Sequence, residues 1–330
     1  MDLAPAKRKQ SVLPAIGLFF LAPLVAEFLL GNLSITMLSA LIVLAPFYGG
    51  GALLIRELAR RSGRGWPTMV LLALAYGILE EAFTTQSLFN PNYLSLNLHL
   101  LQPAFIPALG IGGWWTVFVL ALHTVWSISV PIALVEATVP ERATTPWLGR
   151  PALWVTVVLF VLGCAAGTLG SYRQDHFVSS TAQFIAAAVA IVLLVFAAFN
   201  VRNPGGPGSF GLIPNPWFAG ALALACGSAI LMIPPRWGWW AAGAILLIEL
   251  GMAVTVLIWA KRGGWSLPHK LALASGAALA YAWHSFIEPP VVGGAGVVGR
   301  VGNAVFTLGA LALIGFAAKR SSAATGDAAD

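Results

Sequence analysis

Charged residues are scarce in this chain, and that scarcity excludes a soluble protein. Only 9% of the 330 residues are Asp, Glu, Lys or Arg, whereas 58% are hydrophobic and the mean hydropathy is +0.84. A soluble domain carries roughly 25% charged residues. The 18 Lys and Arg residues occur in small groups between apolar runs and never form one long basic face, so no nucleic-acid partner is expected.

Cysteine and cofactor-binding motifs are also lacking. The two cysteines, Cys164 and Cys226, lie inside apolar runs, which indicates neither a disulfide framework nor a cysteine-based zinc site. The sequence contains no adenine-nucleotide loop, no Ser/His/Asp nucleophile motif and no dinucleotide fingerprint. We therefore expect neither a nucleotide nor a redox cofactor.

Long apolar runs are what the chain has in abundance. A transmembrane helix needs about 20 mainly apolar residues. Ten runs of this kind are predicted, at residues 12–31, 35–55, 66–88, 113–137, 151–170, 181–200, 215–232, 238–260, 270–288 and 301–318. They predict an all-α, polytopic transmembrane helix bundle in a lipid bilayer, with residues 1–330 forming a single domain.

The distribution of positive charge predicts the orientation of this bundle. Cytoplasmic loops of membrane proteins carry an excess of Lys and Arg. With the N-terminus inside, only Arg173, Arg236 and Arg300 of the 18 basic residues fall on the outer side. Both termini are therefore predicted to be cytoplasmic, with a short N-terminal segment (1–11) and a disordered tail (319–330). The expected location is the cell membrane.

One connection on the predicted outer side, residues 89–112, is long, almost uncharged and rich in Leu, Asn and Pro. Non-helical backbone at membrane depth must be shielded by protein or must face a wet cavity. The sequence leaves open whether the connection is a lid over the bundle or an ordinary loop with a short interfacial helix.

Ionisable residues inside the predicted spans are the candidates for function. A charged side chain at the centre of a span costs about 2.5–3.5 kcal/mol on insertion scales, so such residues are functional candidates by default. At 1.5 Å per residue, Glu80 and Glu81 lie ~21 Å from the inner end of the third span, and His123 lies ~15 Å from the outer end of the fourth. His284 lies ~21 Å from the inner end of the ninth span, with Glu288 one turn further out. Three separate helices thus place two carboxylates and two imidazoles in one layer.

This set of residues suits two chemistries. One glutamate can act as a general base on water while the other orients a partner. Alternatively, Glu81, His123 and His284 can be the three ligands of an open zinc site. Adjacent residues on a helix point about 100° apart, so Glu80 and Glu81 face one ligand only if the helix is locally distorted.

The remaining acidic residues are interpreted as mainly structural. Glu27 and Glu249 lie at depth without an acidic neighbour in sequence. Glu57, Glu136 and Glu141 lie near the inner boundary, where we expect them to reach the interface or to pair with arginines.

The motifs around these residues resemble those of the CAAX-protease and bacteriocin-processing family of intramembrane glutamate proteases. That family has Glu-Glu-x-x-x-Arg, Phe-x-x-x-His and His-x-x-x-Asn/Asp on successive functional spans. Here Glu80 and Glu81 supply the glutamate pair, His123 is similar to the first histidine, and His284 with Glu288 is similar to the last motif. In place of the family's arginine stands Thr85, in place of its amide or aspartate stands Glu288, and Phe118 precedes His123 by five residues instead of four.

The resemblance implies a membrane-embedded hydrolase acting on a membrane-associated peptide or small molecule. A glutamate, Glu80 or Glu81, would activate water, while His123, His284 and Glu288 would stabilise the oxyanion. Two other functions remain open from the residues alone. One is a transporter or proton-coupled carrier that uses the same buried Glu/His set, and the other is a non-catalytic membrane protein whose polar residues tie helices together.

Overall fold

A computed structural model describes residues 11–203, 213–262, 264–294 and 296–326. In this part of the chain, ten long helices coincide with the ten predicted runs. They are α1 (Leu13–Leu29), α2 (Ile35–Arg61), α3 (Trp66–Thr84), α4 (Gly113–Thr138), α5 (Arg150–Asp175), α6 (Thr181–Asn200), α7 (Pro216–Met232), α8 (Trp239–Ala260), α9 (Leu267–His284) and α10 (Val297–Gly326). Seven of the helices are long and apolar enough to cross a membrane, and α1 and α7 are shorter apolar helices. The prediction of an all-α polytopic membrane protein is therefore confirmed.

The helices divide into a central group and a peripheral group. In the most apolar stretches of α3 and α4, 61% of the residues are buried inside the protein, against 11% for α5, α6 and α10 and 17% for α8. The peripheral helices expose large apolar side chains such as Trp154, Phe196 and Leu247. Only a lipid environment tolerates so much exposed apolar surface, so the peripheral helices face lipid. The more deeply buried α3 and α4 form the core of the bundle.

Glycines allow the central helices to approach one another closely. A Cβ atom on Gly77 of α3 would lie 3.1 Å from the Cβ of His123 on α4. A Cβ on Gly49 of α2 would lie 1.9 Å from the backbone oxygen of Phe19 on α1. Small residues at such contacts are the usual means of close helix packing in membranes.

Each of the first four helices is interrupted by a π-helical turn. The four turns are Leu24–Leu29, Ala45–Gly49, Glu80–Thr84 and Leu122–Ser129. Prolines accompany three of them, Pro23 in α1, Pro46 in α2 and Pro131 in α4. A proline cannot donate the helical hydrogen bond to the residue four positions earlier, so the regular helix is interrupted near it.

The connection between α3 and α4, residues 85–112, is called the covering segment below. It contains two short antiparallel strands, β1 (Phe105–Ile106) and β2 (Ile111–Gly112). Six of its residues other than glycine have φ between 52° and 58°, namely Gln86, Leu94, Ser95, Asn97, His99 and Ala104. Left-handed backbone of this kind persists where surrounding contacts hold it in place.

The C-terminal end differs from the expectation of a disordered tail beginning at residue 319. Helix α10 continues to Gly326, because the polar residues after Lys319 extend the last helical turns instead of ending them. Residues 327–330 of the expected tail, and residues 1–10 of the expected N-terminal segment, lie outside the described residues.

A group of charged residues with a fully buried centre at Arg56, Glu57 and Glu136 joins α2 to α4 and to the chain before α5. This arginine–glutamate network consists of Arg56, Glu57, Arg60, Arg61 and Glu136. Arg56 Nε and Arg60 Nη2 lie 3.0 and 2.8 Å from the Glu136 carboxylate, and Arg61 lies 3.2 Å from Glu57. Arg56 also stacks over Trp147, 3.2 Å from the ring centre, and its Nη2 donates to three backbone carbonyls.

The expected pairing of these acidic residues with arginines is confirmed. Glu57 and Glu136 pair within the network, and Glu141 lies 3.3 Å from Arg320 in an exposed pair.

Candidate functional site

The π-helical turn at the end of α3 places both glutamates of the pair in the interior. The backbone N–H of Thr85 donates to the Glu80 carbonyl at 2.8 Å, a hydrogen bond five residues back along the chain. Such a turn is wider than an α-helical turn, so neighbouring residues diverge less around the helix axis. Glu80 and Glu81 are only 2% and 4% exposed. The local distortion that the adjacent glutamates required is therefore present.

His123 on α4 lies between these two carboxylates. Its Nε2 is 2.6 Å from Glu81 Oε1, and its Nδ1 is 3.0 Å from Glu80 Oε2 and 3.2 Å from Ser127 Oγ. The imidazole is 6% exposed and stacks on the ring of Tyr48, 6.1 Å between centres. Each ring nitrogen of the histidine thus contacts a different glutamate.

Tyr48 on α2 brings a third carboxylate to the group. Its hydroxyl lies 2.7 Å from Glu27 Oε1 and 2.5 Å from Glu80 Oε1. Asn32 Nδ2 donates to the other oxygen of Glu27 at 2.6 Å. Because the phenol has a single proton, it donates to one of the two carboxylates at a time. We call Glu27, Tyr48, Glu80, Glu81 and His123 the acid–imidazole cluster.

Every member of the cluster lies on a π-helical turn. Glu27, Tyr48, the glutamate pair and His123 belong to the turns of α1, α2, α3 and α4, respectively. Turns of this type are rare and are frequent at functional sites. Their coincidence on four helices around one group of side chains marks this group as the candidate site.

Hydroxyl groups from the end of α3 and from the covering segment complete the surroundings of Glu81. Thr85 Oγ1 donates to Glu81 Oε2 at 3.0 Å, and the Ser87 hydroxyl makes a short hydrogen bond to the same oxygen. Trp115 Nε1 in turn donates to Ser87 Oγ at 2.8 Å. The second oxygen of Glu81 is therefore held in place while the first faces His123.

The covering segment begins beside the cluster, where Ser87 contacts Glu81, and is fastened by Asp175 at the end of α5. The Asp175 carboxylate accepts hydrogen bonds from Asn90 Nδ2 (2.7 Å), the Leu94 N–H (3.0 Å) and Ser95 Oγ (3.1 Å). Burial, followed by the charges of Glu81, Glu27 and Glu80, raises the pKa of the Tyr93 hydroxyl well above its usual range. Because the Ser87 hydroxyl of this segment contacts Glu81 directly, the covering segment is part of the site.

The cluster contains more negative than positive groups. Within the described residues, the ion pairs of Glu80 and Glu81 are with His123 alone. Glu80 Oε2 is buried and has no hydrogen bond of acceptable geometry, although it is near the imidazole. Glu27 is only half-buried, so the cluster approaches the protein surface on the α1 side.

The same residues form a candidate metal centre. Glu80, Glu81 and His123 each offer one ligand atom, and these atoms lie within 4.8 Å of one another. In the described part of the chain no other group of three or more His, Cys, Asp or Glu residues has this spacing.

The structure does not bring His284 and Glu288 to this group. His284 ends α9, which packs against α7, α10 and the second half of α4, and its ring contacts the ring of Trp283 at 5.9 Å. Its Nδ1 is buried without a hydrogen bond, and Glu288 is exposed. The two residues are not among the contacts of the cluster, so catalytic or metal-binding roles for them remain predictions.

Sequence reasoning missed two members of the cluster. The sequence does not single out Tyr48, and it favours a mainly structural role for Glu27. The sequence nevertheless marks both positions, because a proline stands in the apolar run shortly before each residue: Pro46 before Tyr48 and Pro23 before Glu27. Prolines within membrane helices frequently mark distorted backbone.

Comparison with known proteins revises the resemblance drawn from the motifs. No curated protein and no solved structure matches the chain. The model of a family described as "Uncharacterized membrane protein family" matches residues 17–314, whereas no match to the CAAX proteases is found. The proposed relation to the CAAX-protease family was therefore wrong. It rested on short motifs that lack the arginine at Thr85 and on a second histidine that lies elsewhere in the bundle. The chain belongs to this uncharacterized family of membrane proteins.

Proposed function

We propose that the protein is a membrane-embedded hydrolase whose reaction centre is the acid–imidazole cluster. The observation that supports this function best is the position of His123 between two carboxylates, 2.6 Å from Glu81 and 3.0 Å from Glu80. A base, a partner that orients it and hydrogen-bond donors in a buried site are the groups that hydrolysis of an acyl compound needs.

Glu81 is the proposed general base. It removes a proton from water while the water oxygen bonds to the carbonyl carbon of the substrate. The bond to the leaving nitrogen or oxygen then breaks, and the proton passes to the leaving group. General acid–base catalysis of this kind contributes about 10²–10⁴-fold to the rate.

His123 and Tyr48 are the proposed hydrogen-bond donors to the oxyanion. Both are nearly fully buried, and the ring contact between them fixes their relative position. Donors fixed in advance in a shielded site stabilise developing negative charge more than donors in water do. The covering segment keeps bulk water away, which strengthens these contacts.

The expected substrate is a membrane-associated peptide or small molecule with an acyl bond. It would reach the cluster from the half-buried side at Glu27 or after movement of the covering segment, because the cluster is otherwise enclosed. Both routes begin within the depth of the bundle.

The proposal is tested by hydrolysis in ¹⁸O-labelled water. Purified protein in liposomes is incubated with a library of membrane-associated peptides and lipid esters, and products are analysed by mass spectrometry. We expect one labelled oxygen in the acid product, and a loss of about 10²-fold or more in Glu81→Gln. The matched control is Glu249→Gln, an intramembrane glutamate of α8 outside the cluster. Equal labelling by wild type and Glu81→Gln would refute the proposal.

A carrier is the second candidate, and the interrupted helices favour it. Carriers bind their substrates on discontinuous transmembrane helices near the middle of the bilayer, and four π-helical turns surround the cluster here. This function predicts that proteoliposomes move a solute or ion in a manner that Glu81→Gln abolishes. If sealed vesicles show no movement of solute or ion while labelled hydrolysis products form, the protein is an enzyme and not a carrier.

A further inference from the structure

We infer that the acid–imidazole cluster binds one divalent transition-metal ion of the zinc class through Glu80, Glu81 and His123. The inference rests on the proposed function and revises its roles: with an ion bound, the ion would activate the water, and Glu81 and His123 would be ligands instead of general base and oxyanion donor. It assigns Glu80 as a ligand in place of His284, and it is carried by geometry, charge and the type of ligand atom.

The geometry requires only small side-chain movements. Zinc binds carboxylate oxygen and histidine nitrogen at about 2.0–2.2 Å, so two ligand atoms on opposite sides of one ion lie about 4 Å apart. The ligand atoms of Glu80, Glu81 and His123 lie within 4.8 Å of one another. Because Glu80 and Glu81 contact different nitrogens of the ring, an ion bound at one nitrogen requires the glutamate at the other nitrogen to rotate toward it.

The charge of the cluster calls for a cation. Glu27, Glu80 and Glu81 supply three carboxyl groups; within the described residues, Glu80 and Glu81 share one ion-pairing partner, the imidazole of His123, and Glu27 accepts hydrogen bonds from Tyr48 and Asn32. Uncompensated charge in a buried site is costly, and protein interiors meet that cost by pairing the charge or by coordinating a metal. A divalent ion neutralises two of the three carboxylates.

One carboxylate oxygen of the cluster is available to bind the metal ion. Glu80 Oε2 is buried, accepts no well-aligned hydrogen bond and lies 3.0 Å from His123 Nδ1, while Glu80 Oε1 is held by the Tyr48 hydroxyl at 2.5 Å. Glu81 is arranged in the same way, since hydroxyl groups hold its Oε2 and leave Oε1 toward the histidine. Outer partners that orient the ligands are characteristic of protein metal sites.

The donor set selects the class of metal. Carboxylate and carbonyl oxygens alone suit calcium and magnesium, whereas an imidazole nitrogen beside carboxylates suits zinc and other divalent transition metals. Three protein ligands leave one tetrahedral position free, which distinguishes catalytic from structural zinc sites.

The inference is tested by metal binding to the full-length protein in detergent, after treatment with a chelator. Zinc titration followed by elemental analysis is expected to give one ion per chain. We expect Glu81→Gln and His123→Gln to weaken binding about 10-fold or more, since even outer-partner substitutions typically cost 10–100-fold. Glu249→Gln is expected to bind as the wild type does. Cobalt(II) in the wild-type protein adds a readout that needs no variant, because its visible absorption reports a tetrahedral site of nitrogen and oxygen ligands.

The outcomes separate this inference from the proposed function. Absence of zinc binding by the wild-type protein, or unchanged affinity in both Glu81→Gln and His123→Gln, overturns the metal site. Labelled hydrolysis that persists in the chelated protein also overturns it while leaving the hydrolase in place. Specific zinc binding without hydrolysis of any labelled substrate supports the metal site and counts against the hydrolase.

Discussion

Helices α2 and α4 carry two buried polar clusters with opposite electrostatic character. In the arginine–glutamate network, Arg56, Arg60 and Arg61 face two carboxylates, and the Glu57 and Glu136 carboxylates are both in ion pairs. In the acid–imidazole cluster, three carboxylates share one histidine and one phenol. Both clusters are largely buried, but their different charge balance indicates different roles.

On the proposed function, the difference separates a cluster that fixes the fold from one that is prepared for a ligand. A buried charge with all its partners in place stabilises a unique arrangement, because removal of any partner leaves an unpaired ion. A buried charge without enough partners is costly and is retained in membrane proteins where it has a function. The following predictions use substitutions of similar size to test this contrast.

The largest effect is expected when the arginine–glutamate network loses its shared carboxylate. Glu136→Gln leaves Arg56 and Arg60 without their common partner, and removal of one member of a buried pair destabilises by about 3–5 kcal/mol. Thermal unfolding in detergent, followed by circular dichroism, should show a clearly lower midpoint. The control is Glu141→Gln, whose exposed pair with Arg320 is worth about 0–1 kcal/mol. Similar midpoints for the two variants would contradict a stabilising role for the network.

An intermediate effect is expected at the glycine contact between α3 and α4. Gly77→Val adds side-chain atoms where a Cβ alone lies 3.1 Å from His123 Cβ and 3.2 Å from Leu120 Cδ2. Overpacking of this kind costs about 1–3 kcal/mol, and it displaces His123 from the glutamates, so zinc affinity should fall together with stability. Gly170→Val on α5 is the control, since a Cβ there meets no atom within 4 Å. Wild-type stability and zinc affinity in Gly77→Val would show that the close approach is not needed.

The smallest effect on stability is expected from neutralising a carboxylate in the acid–imidazole cluster. Glu80→Gln removes a negative charge that is poorly compensated while keeping an oxygen that can accept from Tyr48. We expect the free energy of unfolding to stay within about 1 kcal/mol of the wild type, because the lost contact with His123 is offset by relief of burial and of repulsion from Glu81. The measurement is chemical unfolding in the presence of a chelator. A loss as large as that in Glu136→Gln would mean that both clusters are structural.

Depth in the bilayer was the part of the site that could be predicted from the sequence. Helix rise per residue is nearly constant, so the positions of Glu80, Glu81 and His123 along their spans placed them in one layer. The structure does bring these three side chains into contact. The long apolar runs likewise predicted the ten helices, since a span must satisfy its backbone hydrogen bonds internally.

Rotation about the helix axis was the part that could not be predicted. His284 has the same predicted depth as the cluster, but α9 packs against α7, α10 and the second half of α4, and nothing in the spacing of its residues reports that direction. Tyr48 is uncharged, so its position inside a span does not mark it as a functional candidate. Its role depends on Pro46 widening the turn that carries it. Helix order around the bundle depends on tertiary contacts between glycines and bulky side chains that one sequence does not reveal.

The π-helical turns also affect how the chain tolerates changes in length. Each turn accommodates one residue more than a regular helical turn, so deleting a residue such as Ala82 or Phe83 would leave a shorter, regular helix. The parts before and after the turn would keep their faces, because the lost residue is the extra one, but Glu80 and Glu81 would again point about 100° apart. Genetic insertions and deletions are usually tolerated in exposed loops, but a single one in a regular turn of α1 to α4 would rotate everything beyond it by about 100° and misalign a whole helix face.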